Sequence, residues 1–177
     1  MENSVNITRQ NGLKQLLLFK DKELIKVITG VRRCGKSTLL EQFKNHLLQN
    51  GTDENQIVYV NFEDYENNRL LETEQFYAFI KARIIKNKKM YLLFDEIQQV
   101  NNFQKVIDSF YIKKNIDIYL TGSNSTLLSG ELATLLSGRY VEIKMQPFSF
   151  KEFFEAAESG SRQESYRKYI ETSSFPY

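Results

Sequence analysis

Apolar residues along the chain form short, strand-sized runs separated by longer segments in which they recur every three or four positions. The runs are "LIKVIT" (24–29), "IVYVNF" (57–62), "MYLLFDE" (90–96), "IDIYLTGS" (116–123) and "RYVEIKM" (139–145). The first is mostly β-branched and apolar, which is typical of a strand covered on both faces in a parallel sheet. The last run alternates apolar and polar residues, which predicts an edge strand with one solvated face.

The segments between these runs have the apolar spacing of amphipathic helices. Helices are predicted around Lys36–Asn50, Thr73–Lys86, Phe103–Tyr111 and Leu127–Leu136. This alternation predicts an α/β three-layer sandwich, in which a five-stranded, mainly parallel sheet is covered by helices on both faces. After the last strand, "SFKEFFEAA" opens with a capping box of Ser149 and Glu152, and "ESYRKYIET" favours a second helix. Short C-terminal helices are therefore expected.

Composition narrows the class of protein. The 177 residues are enough for one core, and 41% hydrophobic with 26% charged residues is the balance of a folded protein. The net charge of +2 gives no strong overall attraction to nucleic acid or to an anionic membrane. Cys34 is the single cysteine, the N-terminus lacks the apolar core of a secretory signal, and no run approaches the roughly 20 apolar residues of a membrane span. We expect a cytoplasmic protein without a membrane partner.

The segment "GVRRCGKS" (30–37) matches the phosphate-binding pattern G-x-x-x-x-G-K-[ST]. Gly30 and Gly35 would let the backbone curl so that its N–H groups face the phosphates. Lys36 would reach the same oxygens, and the Ser37 hydroxyl would ligate Mg²⁺. A strand is predicted before the loop and a helix after it, and the N-terminus of that helix favours bound anions. The surrounding elements are therefore those of a working phosphate loop.

The acidic pair Asp95 and Glu96 ends the strand "MYLLFDE", at the edge of an α/β sheet where ligands bind. Asp95 is placed to hold Mg²⁺ through its water shell, and Glu96 to accept a proton from, or orient, the water that attacks the γ-phosphate. Two adjacent acids alone more often just begin a loop. Together with the upstream loop they favour a metal and hydrolysis site.

Three further residue types are candidates with alternatives. In "TGSNS", Ser123 or Asn124 is a candidate γ-phosphate sensor or else part of a plain turn. Asn61, at the end of the second strand, either restrains Glu96 or forms a turn. Cys34 lies near Lys36 and a helix N-terminus, which predicts a lowered thiol pKa, unless it is a small filler residue.

Taken together, "VITGVRRCGKSTLLEQF", "YVNFED", "YLLFDEIQQV" and "IYLTGSNSTLLSGELATLLSGRYVEIKMQPFSFKEFFE" resemble the prokaryotic AAA-type ATPase domain that usually precedes a C-terminal domain of unknown function. The resemblance runs from about Arg9 to Tyr177. It implies a P-loop NTPase fold of the additional-strand, catalytic-glutamate class, with the fourth strand between the first and third. It also implies ATP and Mg²⁺ as ligands.

The resemblance also implies roles for individual residues. Asp95 and Ser37 would hold the metal, Glu96 and Lys36 would be catalytic, and Ser123 or Asn124 would be the sensor. The nucleotide would be bound by the loop and the start of its helix: Gly30, Val31, Arg32, Arg33, Cys34, Gly35, Lys36, Ser37 and Thr38. One of Arg32 and Arg33 is a candidate contact to phosphate or to a partner subunit, and the alternative is a solvated loop tip.

Arg139, in "SGRY", is a candidate arginine finger that would act on a neighbouring copy of the chain, which implies a homo-oligomer. The alternative is an ordinary surface arginine. Residues 1–148 are predicted to be the ATPase core, and 149–177 a C-terminal helical segment that begins a further region.

The leading hypothesis is Mg²⁺-dependent ATP hydrolysis coupled to a conformational change in a larger protein or assembly. A non-catalytic ATP-dependent switch or protein-interaction module is one alternative, and a small-molecule kinase is another, although no clear lid for a kinase is visible. A nucleic-acid partner is weakly supported by a basic cluster, which the dipole of a helix C-terminus also explains. The cluster consists of Lys81, Arg83, Lys86, Lys88 and Lys89.

Overall fold

The computed structural model describes residues 9–123, 138–147, 149–156 and 161–172. The strands within these residues are β1 (Ile25–Gly30), β2 (Ile57–Asn61), β3 (Met90–Asp95), β4 (Ile116–Ser123) and β5 (Tyr140–Met145). The α-helices are α1 (Gln10–Phe19), α2 (Lys36–Gln49), α3 (Thr73–Arg83), α4 (Phe103–Tyr111), α5 (Phe150–Ala156) and α6 (Arg162–Thr172). Short 3₁₀ helices occupy Glu54–Gln56, Tyr65–Leu71 and Ile97–Gln99. The helix predicted around Leu127–Leu136 lies outside the described residues.

The five strands form one sheet in the order β2-β3-β4-β1-β5, and every neighbouring pair is parallel. The fourth strand lies between the first and third, and β5 is at an edge, so both expectations are confirmed. Because all strands run the same way, their carboxyl ends share one edge of the sheet. This edge brings together Gly30, Asp95, Ser123 and Met145.

Alternate side chains of each strand enter separate cores on the two faces of the sheet. On one face, Val27 and its neighbours pack with Phe76 of α3 and Phe110 of α4. On the other face, Ile28 packs with Phe43 of α2 and Leu16 of α1. The predicted three-layer α/β sandwich is therefore confirmed, with α3 and α4 on one side and α1 and α2 on the other.

Helix α1 was missed by the sequence reasoning. Near its start, the segment "QNGLKQLLLF" contains Asn and Gly, which are weak helix formers, and only Leu16 is buried within it. Gly12 explains its position, because a Cβ there would lie 2.8 Å from Leu39 Cδ2 of α2 and 3.3 Å from Met145 Sδ. The glycine allows α1 to pack closely on α2 and on the end of β5.

Arg9, immediately before α1, joins distant parts of the chain. Its backbone N–H donates to Gln42 Oε1 of α2 at 3.0 Å, and its guanidinium donates to the carbonyl of Gln146. The guanidinium also lies 3.5 Å from Glu152 Oε1 of α5, and Arg9 is only 4% exposed. Glu152 at the same time caps α5, where the Ser149 N–H donates to its Oε2 at 2.9 Å, which confirms the predicted capping box.

A buried ion pair lies near the amino ends of the strands, at the edge opposite the phosphate loop. Lys26 Nζ of β1 is 2.5 Å from Asp117 Oδ1 of β4, and both side chains are almost completely buried. Lys26 also donates to the Lys22 carbonyl. Asp117 Oδ2 accepts hydrogen bonds from the Tyr119 hydroxyl at 2.9 Å and the Asp21 N–H at 2.8 Å. The pair is thus embedded in further hydrogen bonds, as buried charges require.

Among the described residues, no helix has both the length and the apolar character needed to cross a membrane.

Candidate active site

The loop between β1 and α2 has a backbone that requires its two glycines. A Cβ on Gly30 would lie 2.6 Å from both Cys34 Sγ and the Met145 carbonyl oxygen, so no larger residue fits without displacement. Gly35, the N-cap of α2, has φ 91°, in the left-handed region that glycine adopts without strain. Arg33 also has a positive φ, 65°. The loop therefore curls back on itself before α2 begins, as a phosphate loop must.

Lys36 and Ser37 occupy the first turn of α2. Lys36 is 4% exposed, and its Nζ lies 3.3 Å from Glu96 Oε1 and 3.5 Å from the Val31 carbonyl. The lysine is thus paired with the second residue of the acidic motif. Ser37 and Thr38 are half-buried.

The tip of the loop is open to solvent. Val31 is 51% exposed, and Arg32 and Arg33 are exposed as well. Arg32 lies 3.6 Å from Glu63 Oε1, with both side chains largely in water, so this pair adds little stability. Both arginine side chains thus lie at a solvated loop tip, and a contact of either with phosphate or a partner subunit stays a prediction.

Asp95 ends β3 and is completely buried. Its Oδ1 accepts a hydrogen bond from the Thr121 hydroxyl, whereas Oδ2 is buried with no hydrogen-bond partner of normal geometry among the described residues. Burial raises the pKa of the Asp95 carboxyl, although the nearby Ser37 and Thr121 hydroxyls act to lower it. A buried carboxylate oxygen with spare capacity beside a serine hydroxyl fits a hard, oxygen-seeking cation such as Mg²⁺.

Glu96 adopts the left-handed conformation, with φ 52° and ψ 47°. Its N–H donates to Thr121 Oγ1 at 2.9 Å, its Oε1 pairs with Lys36, and its Oε2 accepts from Gln98 Nε2 at 2.5 Å. Thr121 therefore bridges the two acidic residues, because its hydroxyl donates to Asp95 and accepts from the Glu96 backbone. The sequence reasoning missed Thr121, which only the pairing of β3 with β4 brings beside Asp95.

The expected lowered pKa of Cys34 is wrong. Cys34 is fully buried against Gly30, and this burial raises the pKa of its thiol despite the opposing charges of Lys36 and Arg9. The filler alternative is the one that the packing supports. Asn61 likewise forms a turn, since its Oδ1 accepts from the Glu63 N–H at 2.9 Å and its contacts among the described residues do not include Glu96.

The remaining candidates are separated in space. Ser123 ends β4 beside Gly30 in the strand register, so its backbone lies at the phosphate loop, and Asn124 lies outside the described residues. Arg139 precedes β5 and is 2.6 Å from Asp108 of α4. It precedes the amino end of β5, about 20 Å along the strand from Met145. Arg139 therefore lies away from the phosphate loop of its own chain. A role in a neighbouring copy stays a prediction.

Comparison with known proteins gives the class that this fold and site define. The profile of a family described as "AAA domain" matches residues 22–154, and the chain belongs to this family. It is 47% identical over 175 residues to an uncharacterized protein of Haemophilus influenzae, covering 96% of this chain and 44% of that protein. An uncharacterized protein of Methanocaldococcus jannaschii is 39% identical over 130 residues, covering 73% of this chain and 28% of its own length. The chain thus spans less than half of these relatives.

Solved structures share the fold. The Walker-type ATPase PABY2304 of Pyrococcus abyssi superposes with a TM-score of 0.67 at 16% identity, over 93% of this chain and 63% of its own. AMPPCP-bound DnaA of Aquifex aeolicus superposes with a TM-score of 0.59 at 15% identity, over 91% of this chain and 54% of its own. The RuvB Holliday junction branch migration motor of Thermotoga maritima superposes with a TM-score of 0.55 at 21% identity, over 92% of this chain and 52% of its own. The fold is that of an AAA-type P-loop ATPase domain.

Proposed function

We propose that this domain binds ATP together with Mg²⁺ and hydrolyses the γ-phosphate, and that the hydrolysis drives a conformational change in a larger protein or assembly. One observation carries the proposal. Lys36, Glu96 and the buried Asp95 converge at the carboxyl edge of the sheet, and among the described residues Asp95 Oδ2 has no hydrogen-bond partner of normal geometry. They lie beside a loop whose backbone favours glycine at Gly30 and Gly35.

Nucleotide binding is supported by the loop and the start of α2. Backbone N–H groups between Gly30 and Thr38 would surround the phosphates, and the positive end of the α2 dipole would favour their charge. Lys36 would exchange its contact with Glu96 for the phosphate oxygens. The AMPPCP in the structurally similar DnaA supports an adenine nucleotide as the ligand.

The metal would be held by the Ser37 hydroxyl and by Asp95, whose buried Oδ2 has no hydrogen-bond partner of normal geometry among the described residues. Bound Mg²⁺ would neutralise charge on the phosphates. Thr121 keeps the Asp95 carboxylate oriented by donating to Oδ1. Such support of a metal ligand by a neighbouring hydrogen bond fixes its orientation.

In the hydrolytic step, a water oxygen forms a bond to the γ-phosphorus while the bond from that phosphorus to the β–γ bridging oxygen breaks. The electron pair leaves with ADP, and the water gives a proton to the Glu96 carboxylate, which later returns it to solvent or to the inorganic phosphate. Lys36 would stabilise the charge on the transferring group. Ser123 or Asn124 would sense the γ-phosphate, and Arg139 would complete the site of a neighbouring copy.

The first test is the thermal midpoint of the chain with Mg²⁺ and excess ATP, ADP or GTP, beside the same scans on Lys36→Ala. Ligand at a hundred times its Kd adds about 2.7 kcal/mol, which raises the midpoint of a domain of this size by about 5 to 10 °C. Lys44→Ala is the matched control, since Lys44 lies on α2 but stacks on Tyr59. Adenine nucleotides should shift wild type and Lys44→Ala but not Lys36→Ala.

A second test separates hydrolysis from a non-catalytic switch, the alternative that the buried Lys36–Glu96 pair also permits. Glu96→Gln should retain ATP binding and slow hydrolysis by a factor on the order of 100 or more. The Lys36 ammonium would then face a neutral amide, so binding should tighten. Equal hydrolysis rates in both proteins would refute the enzymatic role of Glu96, and tight binding without turnover in wild type would favour the switch.

A further inference from the structure

Gln98 holds one of the two carboxylate oxygens of Glu96. It lies in the 3₁₀ turn Ile97–Gln99, two residues beyond Glu96, and its Nε2 donates to Glu96 Oε2 at 2.5 Å. Its other amide atom, Oε1, is buried and has no hydrogen-bond partner among the described residues. One end of this side chain is thus engaged and the other is an unused acceptor.

The orientation of the amide follows from its neighbour. Rotating it by half a turn would place Oε1 against a carboxylate oxygen of Glu96, and two acceptors repel each other. The donor therefore faces Glu96, and the orphan is the oxygen. A buried acceptor without a donor is unfavourable, so a donor that reaches Oε1 is stabilised there.

The two oxygens of Glu96 are held from opposite sides. Lys36 Nζ is 3.3 Å from Oε1, and Gln98 holds Oε2. When Lys36 turns to bound phosphates, Oε1 loses its partner but Oε2 keeps the amide. Two acceptors are then unused, Glu96 Oε1 and Gln98 Oε1, and they belong to two side chains that are already hydrogen-bonded to each other. A water has two O–H donors, and one water can serve both.

We propose that Gln98 is a positioning residue for hydrolysis: it fixes the Glu96 carboxylate through Oε2, and its own Oε1 accepts a hydrogen bond from one O–H of the attacking water. The other proton of that water points to Glu96 Oε1, which removes it as the oxygen bonds to phosphorus. This inference rests on the proposed ATPase function and adds the residue that aligns its base and nucleophile.

The experiment is a double-mutant cycle on the full chain, measured as single-turnover hydrolysis of Mg·ATP and as the Kd of AMPPCP, which is not hydrolysed. The proteins are wild type, Gln98→Leu, Glu96→Ala, the double variant and, as matched control, Gln99→Leu, whose side chain is exposed. Misplacement of a reacting group by about 1 Å costs up to about 100-fold, so Gln98→Leu should be 10- to 100-fold slower than wild type. Its AMPPCP Kd should stay within about threefold, because the side chain is not assigned to phosphate binding.

In the Glu96→Ala background, Gln98→Leu should cause little further loss, because residues that act as a unit are not additive. Gln99→Leu should match wild type throughout. A second variant, Gln98→Met, removes both amide atoms with similar length and replaces Gln98→Leu if the latter misfolds. Failure of both variants to fold would show a structural role and overturn the inference.

The other outcomes separate this inference from the proposed function. A wild-type chain that binds AMPPCP but does not hydrolyse ATP overturns both. Hydrolysis that requires Glu96 but proceeds at full rate in Gln98→Leu overturns the Gln98 inference alone. Two further results also overturn it, because Gln98 would then not act through Glu96. One is that Gln98→Leu lowers the hydrolysis rate by the same factor in wild type and in Glu96→Ala. The other is that Gln98→Leu raises the Kd of AMPPCP by the same factor as it lowers the rate.

Discussion

Removing the Asp117 carboxylate should destabilise the fold without changing the nucleotide site. In Asp117→Asn, the Lys26 ammonium keeps the Lys22 carbonyl as a hydrogen-bond acceptor but loses the carboxylate 2.5 Å away. Breaking a buried ion pair by removing one partner costs about 3 to 5 kcal/mol. At about 2 to 4 °C per kcal/mol for a domain of this size, the thermal midpoint should fall by roughly 6 to 20 °C.

Lys26 offers the matched comparisons. Lys26→Met leaves Asp117 with the hydrogen bonds from Tyr119 and Asp21, so this variant should lose less stability than Asp117→Asn. Lys26→Met combined with Asp117→Leu removes both charges, and such a replacement is often neutral. The double variant should therefore be more stable than Asp117→Asn alone.

The loss of stability in Asp117→Asn should depend on pH. Burial lowers the pKa of Lys26 below its ordinary value, and Asp117 opposes that shift. Without Asp117 the folded-state pKa of Lys26 falls further, while in the unfolded chain it is ordinary. At a pH between the folded and the unfolded pKa of Lys26, the unfolded state binds more protons than the folded state. The free energy of unfolding therefore rises with pH in this range. The deficit of Asp117→Asn relative to wild type should shrink between pH 7 and pH 9.

The assay is urea unfolding of all four proteins at both pH values, together with AMPPCP affinity at pH 7. The reasoning fails if Asp117→Asn unfolds within about 0.5 kcal/mol of wild type, the ordinary range of a surface substitution. It also fails if the deficit grows as the pH rises. AMPPCP affinity should be unchanged, since Lys26 and Asp117 lie at the edge of the sheet opposite the phosphate loop.

Three further predictions concern the site and its surroundings. Thr121→Val should lower the free energy of unfolding by about 2 to 4 kcal/mol, because it deprives both Asp95 Oδ1 and the Glu96 N–H of a hydrogen-bond partner. Thr121→Ser keeps the hydroxyl and should retain most of the stability. Equal urea midpoints of the two variants would contradict this prediction. The Cys34 thiol should react with Ellman's reagent at pH 7.5 only as the chain unfolds, since it is buried and its pKa is raised; fast labelling of the native protein would contradict its placement. Arg139→Ala should lower the free energy of unfolding by less than about 1 kcal/mol, because the ion pair of Arg139 with Asp108 is half-exposed. It should also leave AMPPCP binding by dilute protein unchanged. Weaker AMPPCP binding by the dilute variant would argue against a role confined to a neighbouring copy.

Local sequence patterns were sufficient for most of the fold. The strands were recognisable as apolar runs, and the alternation in β5 identified it as an edge because one face of an edge strand meets water. The phosphate loop and the Asp95–Glu96 pair were found from spacing alone, since their chemistry requires fixed residue types close together in the chain. Helix α1 was missed because its contacts, not its composition, stabilise it.

The parts of the site that were missed depend on contacts between segments. Thr121 reaches Asp95 only through the register of β4 against β3, and no local pattern encodes that register. The restraint on Glu96 was considered for Asn61 in β2, yet the side chain that contacts Glu96 is Gln98, brought back by a 3₁₀ turn. The Cys34 pKa was predicted with the wrong sign because the nearby positive charges can be read from the sequence, whereas the burial of the thiol against Gly30 cannot.

The position of Arg9 has a mechanical consequence for the C-terminal helices. Its guanidinium reaches the Gln146 carbonyl and Glu152, while its backbone N–H is bonded to α2, the helix that starts in the phosphate loop. Helix α5 therefore cannot swing away from the sheet without exposing a buried cation and breaking its ion pair. A displacement of α2 would therefore strain the contacts of one residue, because Arg9 is bonded to α2 through its backbone and to Gln146 and Glu152 through its guanidinium.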